Sequence, residues 1–294
     1  LAYTVTDYEL IPDANGEPRL DEQGRPYVRA IQFEPTVLPL FLEGPVHALK
    51  VQPDRATARE LHAKIKASDL YDGQLGMYKV NASLEEQSHE LGRARAFAPG
   101  WLENESIWLH MEYKYLLEVL KAGLYEEFYE EFERILICFQ NPEVYGRSPL
   151  ENSSFLVSSA HPDPSLHGTG FVARLSGATA EFLSIWTTMM AGPQPFFLRN
   201  GNLCLAFKPI LPGWLFDAGG RLSFTFLGHT PVTIHNPDRV DTWRDEGAGS
   251  LHKRPTVLYI PGQGKIEFAD GIVPAPYAEM VRAGQVEAIE LFLA

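Results

Sequence analysis

Glu103-Asn104-Glu105-Ser106-Ile107-Trp108-Leu109-His110-Met111-Glu112-Tyr113-Lys114-Tyr115-Leu116-Leu117-Glu118-Val119-Leu120-Lys121 reads as one helix that is apolar on nearly every side, through Ile107, Trp108, Met111, Leu116, Leu117 and Leu120. Such a helix has to be packed among others rather than lie on a surface. It therefore predicts a helical block around itself. Upstream, residues 36–51 and 54–68 read as two more helices, the second opened by Asp54 as N-cap. Downstream, Gly123 ends the apolar helix and 125–139 forms a more charged partner. Residues 141–172 form a proline-rich loop leading into a helix with Leu175, Ala178, Phe182, Ile185, Trp186 and Met189 at helical spacing, and Gly192-Pro193 stops it.

On either side of this block the period is two. Tyr3-Thr4-Val5 and Tyr27-Val28-Arg29-Ala30-Ile31 are strand-like, with turns at Asn15-Gly16 and Gln23-Gly24. From 195 onward Leu203, Leu205 and Phe207 alternate with Cys204, Ala206 and Lys208. Leu222, Phe224 and Phe226 repeat the pattern, and further strands are predicted at 231–235, 255–260, 265–268 and 286–292. The expectation is a mainly α protein followed by β: a hairpin lead-in over 1–33, helices over 34–194, and an antiparallel β-sandwich over 195–294.

The chain has 294 residues, 45% of them hydrophobic and 12% aromatic, enough for a large core. A formal net charge of −13 disfavours nucleic acid and an anionic membrane as partners. It leaves room for a small anion in a local basic pocket. Cys138 and Cys204 sit in apolar runs without metal-ligand spacing and read as core residues of a reducing compartment, with the cytoplasm as the default location. The strand-like opening at Leu1, with no initiator Met, suggests the C-terminal portion of a longer polypeptide.

Two constellations carry chemistry. The first is Trp101, Glu103, Asn104, Trp108 and His110: aromatic faces stack on sugar rings, carboxylates and amides hold hydroxyls, and the imidazole can hold an anion. The plainer alternative is a capped helix start whose carboxylates favour the positive end of the helix dipole, with His110 a satisfied core histidine. The second is the glycine-flexible run from Gly168 to Thr179, with Arg174, Ser176 and Gly177 at a helix start, where free backbone N–H groups make an anion pocket. Here the alternative is an N-cap Ser and a Gly that permits close helix packing. Glu151-Asn152-Ser153-Ser154 could line a sugar pocket or satisfy a turn. His161, Asp163 and His167 form no recognisable metal box, and no metal is expected.

Together and in this order, the motifs resemble inverting glycoside phosphorylases of glycoside hydrolase family 94, the cellobiose and chitobiose phosphorylases. The family pattern PPGxxENGGIFSHxNxW is similar to Pro99 through His110, with Glu103, Asn104, Ile107 and His110 at the same spacing. The family's SWLTGTAAW is similar to Ala173 through Glu181, and its EPYVYxQ to the run that Glu151 opens. The family's LGIRPxxDGLxIxPxIP resembles Ala191 to Pro212, and Ile234-His235-Asn236-Pro237 resembles its VxNP. The likeness spans about 30 to 240. Glu105-Ser106 stand where the family has Gly-Gly, which suggests a divergent relative acting on longer glucans.

The resemblance implies the last part of an (α/α)6 barrel plus a C-terminal sandwich. It implies phosphate binding by His110, Ser176 and Gly177, with Arg174 beside them, and sugar binding by Glu103 and its neighbours Asn104 and Trp101, with Glu151. Inorganic phosphate would be a co-substrate, with no further cofactor. The partner would be a β-linked oligosaccharide or glucan, and a homodimer is common in the family. The general acid falls before Leu1, in the upstream polypeptide or a companion chain. A hydrolase or transglycosylase on the same scaffold, or a non-catalytic carbohydrate-binding segment, are the competing expectations.

Overall fold

The computed structural model describes residues 2–51, 54–173, 176–243 and 255–293, excepting the side chains of Glu90, Ala173 and Ser176. The chain opens with β1 (Ala2–Leu10) and β2 (Val28–Thr36), a two-stranded antiparallel ribbon. Then come α1 (Glu43–Lys50), α2 (Arg55–Lys66), and the short antiparallel pair β3 (Tyr71–Asp72) and β4 (Met77–Tyr78). The apolar stretch gives β5 (Ile107–Trp108) and α3 (Leu109–Lys121), followed by α4 (Tyr125–Ile135) and one turn of helix, α5 (Pro142–Tyr145). β6 (Ser153–Leu156) and β7 (Gly170–Ala173) join β5 in a three-stranded sheet of order β5-β6-β7, and α6 (Ser176–Ala191) follows.

The C-terminal part begins with the hairpin β8 (Phe196–Arg199) and β9 (Asn202–Leu205). β10 (Arg221–Phe226), β11 (Thr230–His235), β12 (Thr256–Ile260), β13 (Gly264–Phe268), α7 (Tyr277–Arg282) and β14 (Ala288–Phe292) complete it. Its five-stranded sheet has the order β10-β11-β14-β12-β13 and is mixed, because β14 enters the middle and runs parallel to β11.

This is a mixed α/β architecture, and it corrects the expected barrel segment followed by an antiparallel sandwich. The helical block is interrupted by strands that local periodicity does not show. The predicted 36–51 helix is helical only from Glu43, and the first six residues of the 103–121 stretch are a turn and a strand. The 141–172 loop carries β6 and most of β7. In the C-terminal part, alternation marks strands with one buried face, but a single sheet covered by helix and hairpin satisfies that pattern as well as two stacked sheets do.

The core follows from α3. Ten of its thirteen residues are buried, Glu112 and Glu118 among them. Asp54 caps α2 by accepting from Thr57 N at 2.9 Å. Of the two cysteines, Cys204 is buried while Cys138 is exposed. The helix predicted over 125–139 ends at Ile135, and the tighter turn at Ile137–Phe139 rotates Cys138 outward. No helix among the described residues is long and apolar enough to cross a membrane.

Candidate functional site

The site gathers where β5 passes into α3. The backbone doubles back in a four-residue turn, with Trp101 N donating to Asn104 O and Asn104 N to Trp101 O, both at 3.2 Å. Leu102 and Glu105 take left-handed φ of 51° and 56°, a conformation that costs non-glycine residues free energy and persists only where the surroundings hold it. Asn81 does the holding. Fully buried, it donates through Nδ2 to Glu103 O at 2.6 Å and accepts from Glu105 N at 2.7 Å. Lys79 Nζ adds an ion pair with Glu105 at 2.9 Å. Gly100 is required by contact as well as by its φ of 75°, since a Cβ there would sit 2.6 Å from His161 N.

Glu103 therefore stands at the tip of a fixed turn. Arg93 pairs with it through Nε and Nη2. Glu103 lines a cleft of about 130 Å³ with Trp108, Glu43, Phe41, Val80 and Met111. The indole of Trp108 stacks on Phe155 and meets His110 edge-on, with ring centroids 6.2 Å apart. Its Nε1 is buried with no hydrogen-bond partner among the described residues.

His110, in the first turn of α3, meets the start of α6. A Cβ on Gly177 would lie 2.5 Å from Nδ1, 2.6 Å from Cγ and 2.7 Å from Cε1 of His110. The imidazole thus lies face-on over the Gly177 backbone, an approach only glycine permits. Its Nε2 points toward Glu181 at 3.7 Å. Burial and the charge of Lys114, one helical turn along α3, lower the imidazole's proton affinity, while Glu181 and Glu43 work in the opposite direction. The ring thus sits at the first turn of α6, the end of a helix whose dipole favours an oxyanion.

The other sequence-predicted residues divide between support and periphery. Asn104 turns inward: Nδ2 donates to Phe97 O at 2.7 Å, and Oδ1 is buried without a partner among the described residues. Trp101 has one face covered by Phe171, at 3.9 Å and 2° between the rings, in a ladder that continues through Phe155 to Trp108. Glu151 lies beside Arg147 at 3.7 Å and does not line the cleft. Arg174 and the side chain of Ser176 lie outside the described residues. Trp108 links the two parts, lining the cleft with Glu103 on one side and meeting His110, which covers Gly177, on the other; Asn104 and Trp101 belong to the turn itself.

Sequence reasoning missed Glu43, Glu181 and Lys114. Helical spacing from His110 could have found Lys114, four residues on. Glu181 shares the helix of Gly177, but its pairing with His110 depends on how α3 and α6 cross.

Compared with known proteins, the chain matches no family model and no curated protein sequence. The likeness to the phosphorylases rests on its motifs.

Proposed function

We propose that this chain supplies the phosphate and sugar contacts of an inverting glycoside phosphorylase, which cleaves a β-glucoside or β-glucan with inorganic phosphate and yields a sugar 1-phosphate of inverted configuration. The observation that carries the reading is the His110 imidazole lying over Gly177 at the start of α6. Two motifs 67 positions apart, each readable alone as ordinary helix chemistry, meet at one point. The left-handed φ of Glu105 adds support, because this is a position where the family pattern has glycine.

In this reading phosphate is the nucleophile. One of its oxygens bonds to the anomeric carbon as the glycosidic C–O bond breaks, and the leaving oxygen takes a proton from a carboxylic acid. That acid would come from the upstream part of the polypeptide or from a companion chain. A hydrolase needs a second carboxylate to activate water. Phosphate is already anionic and needs a cradle that positions it in line. His110, Lys114 and the N–H groups near Gly177 make that cradle, with Ser176 and Arg174 as further contacts implied by the motif. Glu181 orients the imidazole through Nε2, the role a carboxylate plays toward a working histidine. A reducing cytoplasmic setting and a homodimer belong to the same reading.

The test is phosphate-dependent cleavage of β-linked gluco-oligosaccharides by the polypeptide that contains this chain, wild type and His110→Ala. Loss of one charge-assisted donor is worth about 1.5–3 kcal/mol, so the phosphate KM should rise roughly 10-fold to 100-fold while the sugar KM changes much less. Cleavage that proceeds equally without phosphate would instead identify a hydrolase.

A further inference from the structure

The frame that holds Glu103 extends to a third segment. Leu42 N donates to Val80 O at 2.9 Å, Ala82 N to Leu40 O at 2.9 Å, and Val80 N to Ser106 O at 2.8 Å. Segments 40–42 and 103–106 are thus tied to the two sides of 80–82, with Asn81 at the centre. The residue after Leu42 is Glu43, which opens α1 and lines the cleft together with Glu103. Two carboxylates 60 positions apart are set on one opening by backbone hydrogen bonds, independently of any contact between them.

The lining decides what fits. Glu103 is paired with Arg93, and Glu43 has the His47 ring beside it, Nε2 at 3.7 Å, one exposed helical turn along α1. The walls contributed by Trp108, Phe41, Val80 and Met111 are apolar. The cleft therefore offers strong acceptors and an apolar flank, with no unpaired lysine or arginine among the described residues that line it. A phosphate finds no grip in such a lining. A ligand that donates many O–H bonds while presenting apolar C–H faces matches both features, and an open cleft of about 130 Å³ can seat one edge of a six-membered ring.

We propose that Glu43 is a sugar-binding residue, gripping the hydroxyls of one neutral pyranose opposite Glu103 while the oxyanion sits at His110. This deepens the phosphorylase reading and rests on it. Trp108 joins the two halves, since it lines the cleft and touches the His110 ring.

The test is calorimetric titration of D-glucose, and separately of inorganic phosphate, into the full chain. Wild type, Glu43→Ala, Glu43→Gln and His110→Ala are compared, with circular dichroism confirming that each is folded. Glu43 is a solvent-facing residue of a first helical turn, so its variants should keep the fold. Hydrogen bonds to a carboxylate are the strong ones. Glu43→Ala should weaken glucose roughly 10-fold or more, with Glu43→Gln intermediate and phosphate affinity within about twofold of wild type. Equal glucose binding by wild type and Glu43→Ala overturns the proposal, as does preference for protonated glucosamine over glucose or absence of glucose binding to wild type. Phosphate binding indifferent to His110→Ala brings down the phosphorylase reading instead, a separable result.

Discussion

Two polar clusters of similar composition flank α3, and they are built to opposite ends. One is a knot among α2, β4, α3 and α4. Tyr78 OH donates to Glu131 Oε1 at 2.6 Å, Lys66 Nζ lies 3.0 Å from the same oxygen, and His62 Nδ1 pairs with Tyr115 OH at 2.8 Å. Tyr78 N donates to Glu112 Oε1 at 2.8 Å. The carboxylates are fully buried, and burial drives the Glu112 carboxyl and the Tyr78 and Tyr115 hydroxyls well above their usual proton affinities. The other cluster, with Glu43, Glu103, Trp108, His110 and Gly177, uses the same residue types at an opening. The knot turns its polar groups inward and joins four elements, leaving only the second oxygens of Glu112 and Glu131 without a partner among the described residues. The cleft keeps Glu43 beside its opening, with Glu103 across from it and Trp108 leading to the His110 ring. Carboxylates and histidines therefore separate the two clusters by where their hydrogen bonds go, not by their presence.

Breaking the knot should cost stability without touching the site. Glu131→Ala strands the Tyr78 hydroxyl and Lys66 and should lower unfolding free energy by about 4 kcal/mol, read from urea denaturation. Phosphate affinity of the folded fraction should be unchanged. Asn81→Ala sits on the other side of the comparison. It removes two buried hydrogen bonds, should cost about 2 kcal/mol, and should also abolish glucose binding, because the turn that presents Glu103 loses the side chain that fixes it to 80–82.

The knot also has a pH signature. The folded-state proton affinity of Glu112 is raised above the ordinary 4.5, so its contribution to stability is fully present below that value and is lost as pH rises toward the folded value. Glu112→Gln does not titrate. Its stability relative to wild type should climb as pH rises above 4.5, by up to about 1.4 kcal/mol per pH unit. His62, lowered by burial, acts the other way, losing stability as pH falls below 6.5, but it does so equally in both proteins. A difference independent of pH would remove Glu112 from the account. Smallest in stability is Gly177→Ala. Overpacking against the His110 ring, partly offset by alanine's helix propensity, should cost about 1 kcal/mol, yet phosphate affinity should fall roughly 10-fold as the ring is displaced.

What could be read in the sequence was what local spacing encodes. The α3 core from Leu109 to Lys121 and the Asp54 cap follow from neighbours within four residues. The start of the apolar stretch did not, because Leu102 and Glu105 adopt a backbone that no propensity favours and that Asn81, more than twenty residues upstream, enforces. β5 is two residues long and exists through pairing with Phe155 and Leu156, nearly fifty positions on. The parallel insertion of β14 beside β11 is equally non-local, which is why the β-rich C-terminal part was expected as a sandwich. At the site, His110 and Gly177 were visible as motif residues. Glu43 was hidden inside a stretch expected to be helical throughout, where its distance from Glu103 carried no meaning until 40–42 and 103–106 were tied to 80–82.

The most direct measurement tracks the His110 ring itself, by its ¹H–¹³C resonance at Cε1, during titration of the full chain with inorganic phosphate. The account predicts a saturable shift of that resonance, a rise in the His110 proton affinity when phosphate is bound, and loss of both in Gly177→Ala. A folded wild-type chain whose His110 resonance stays fixed through the titration would contradict it.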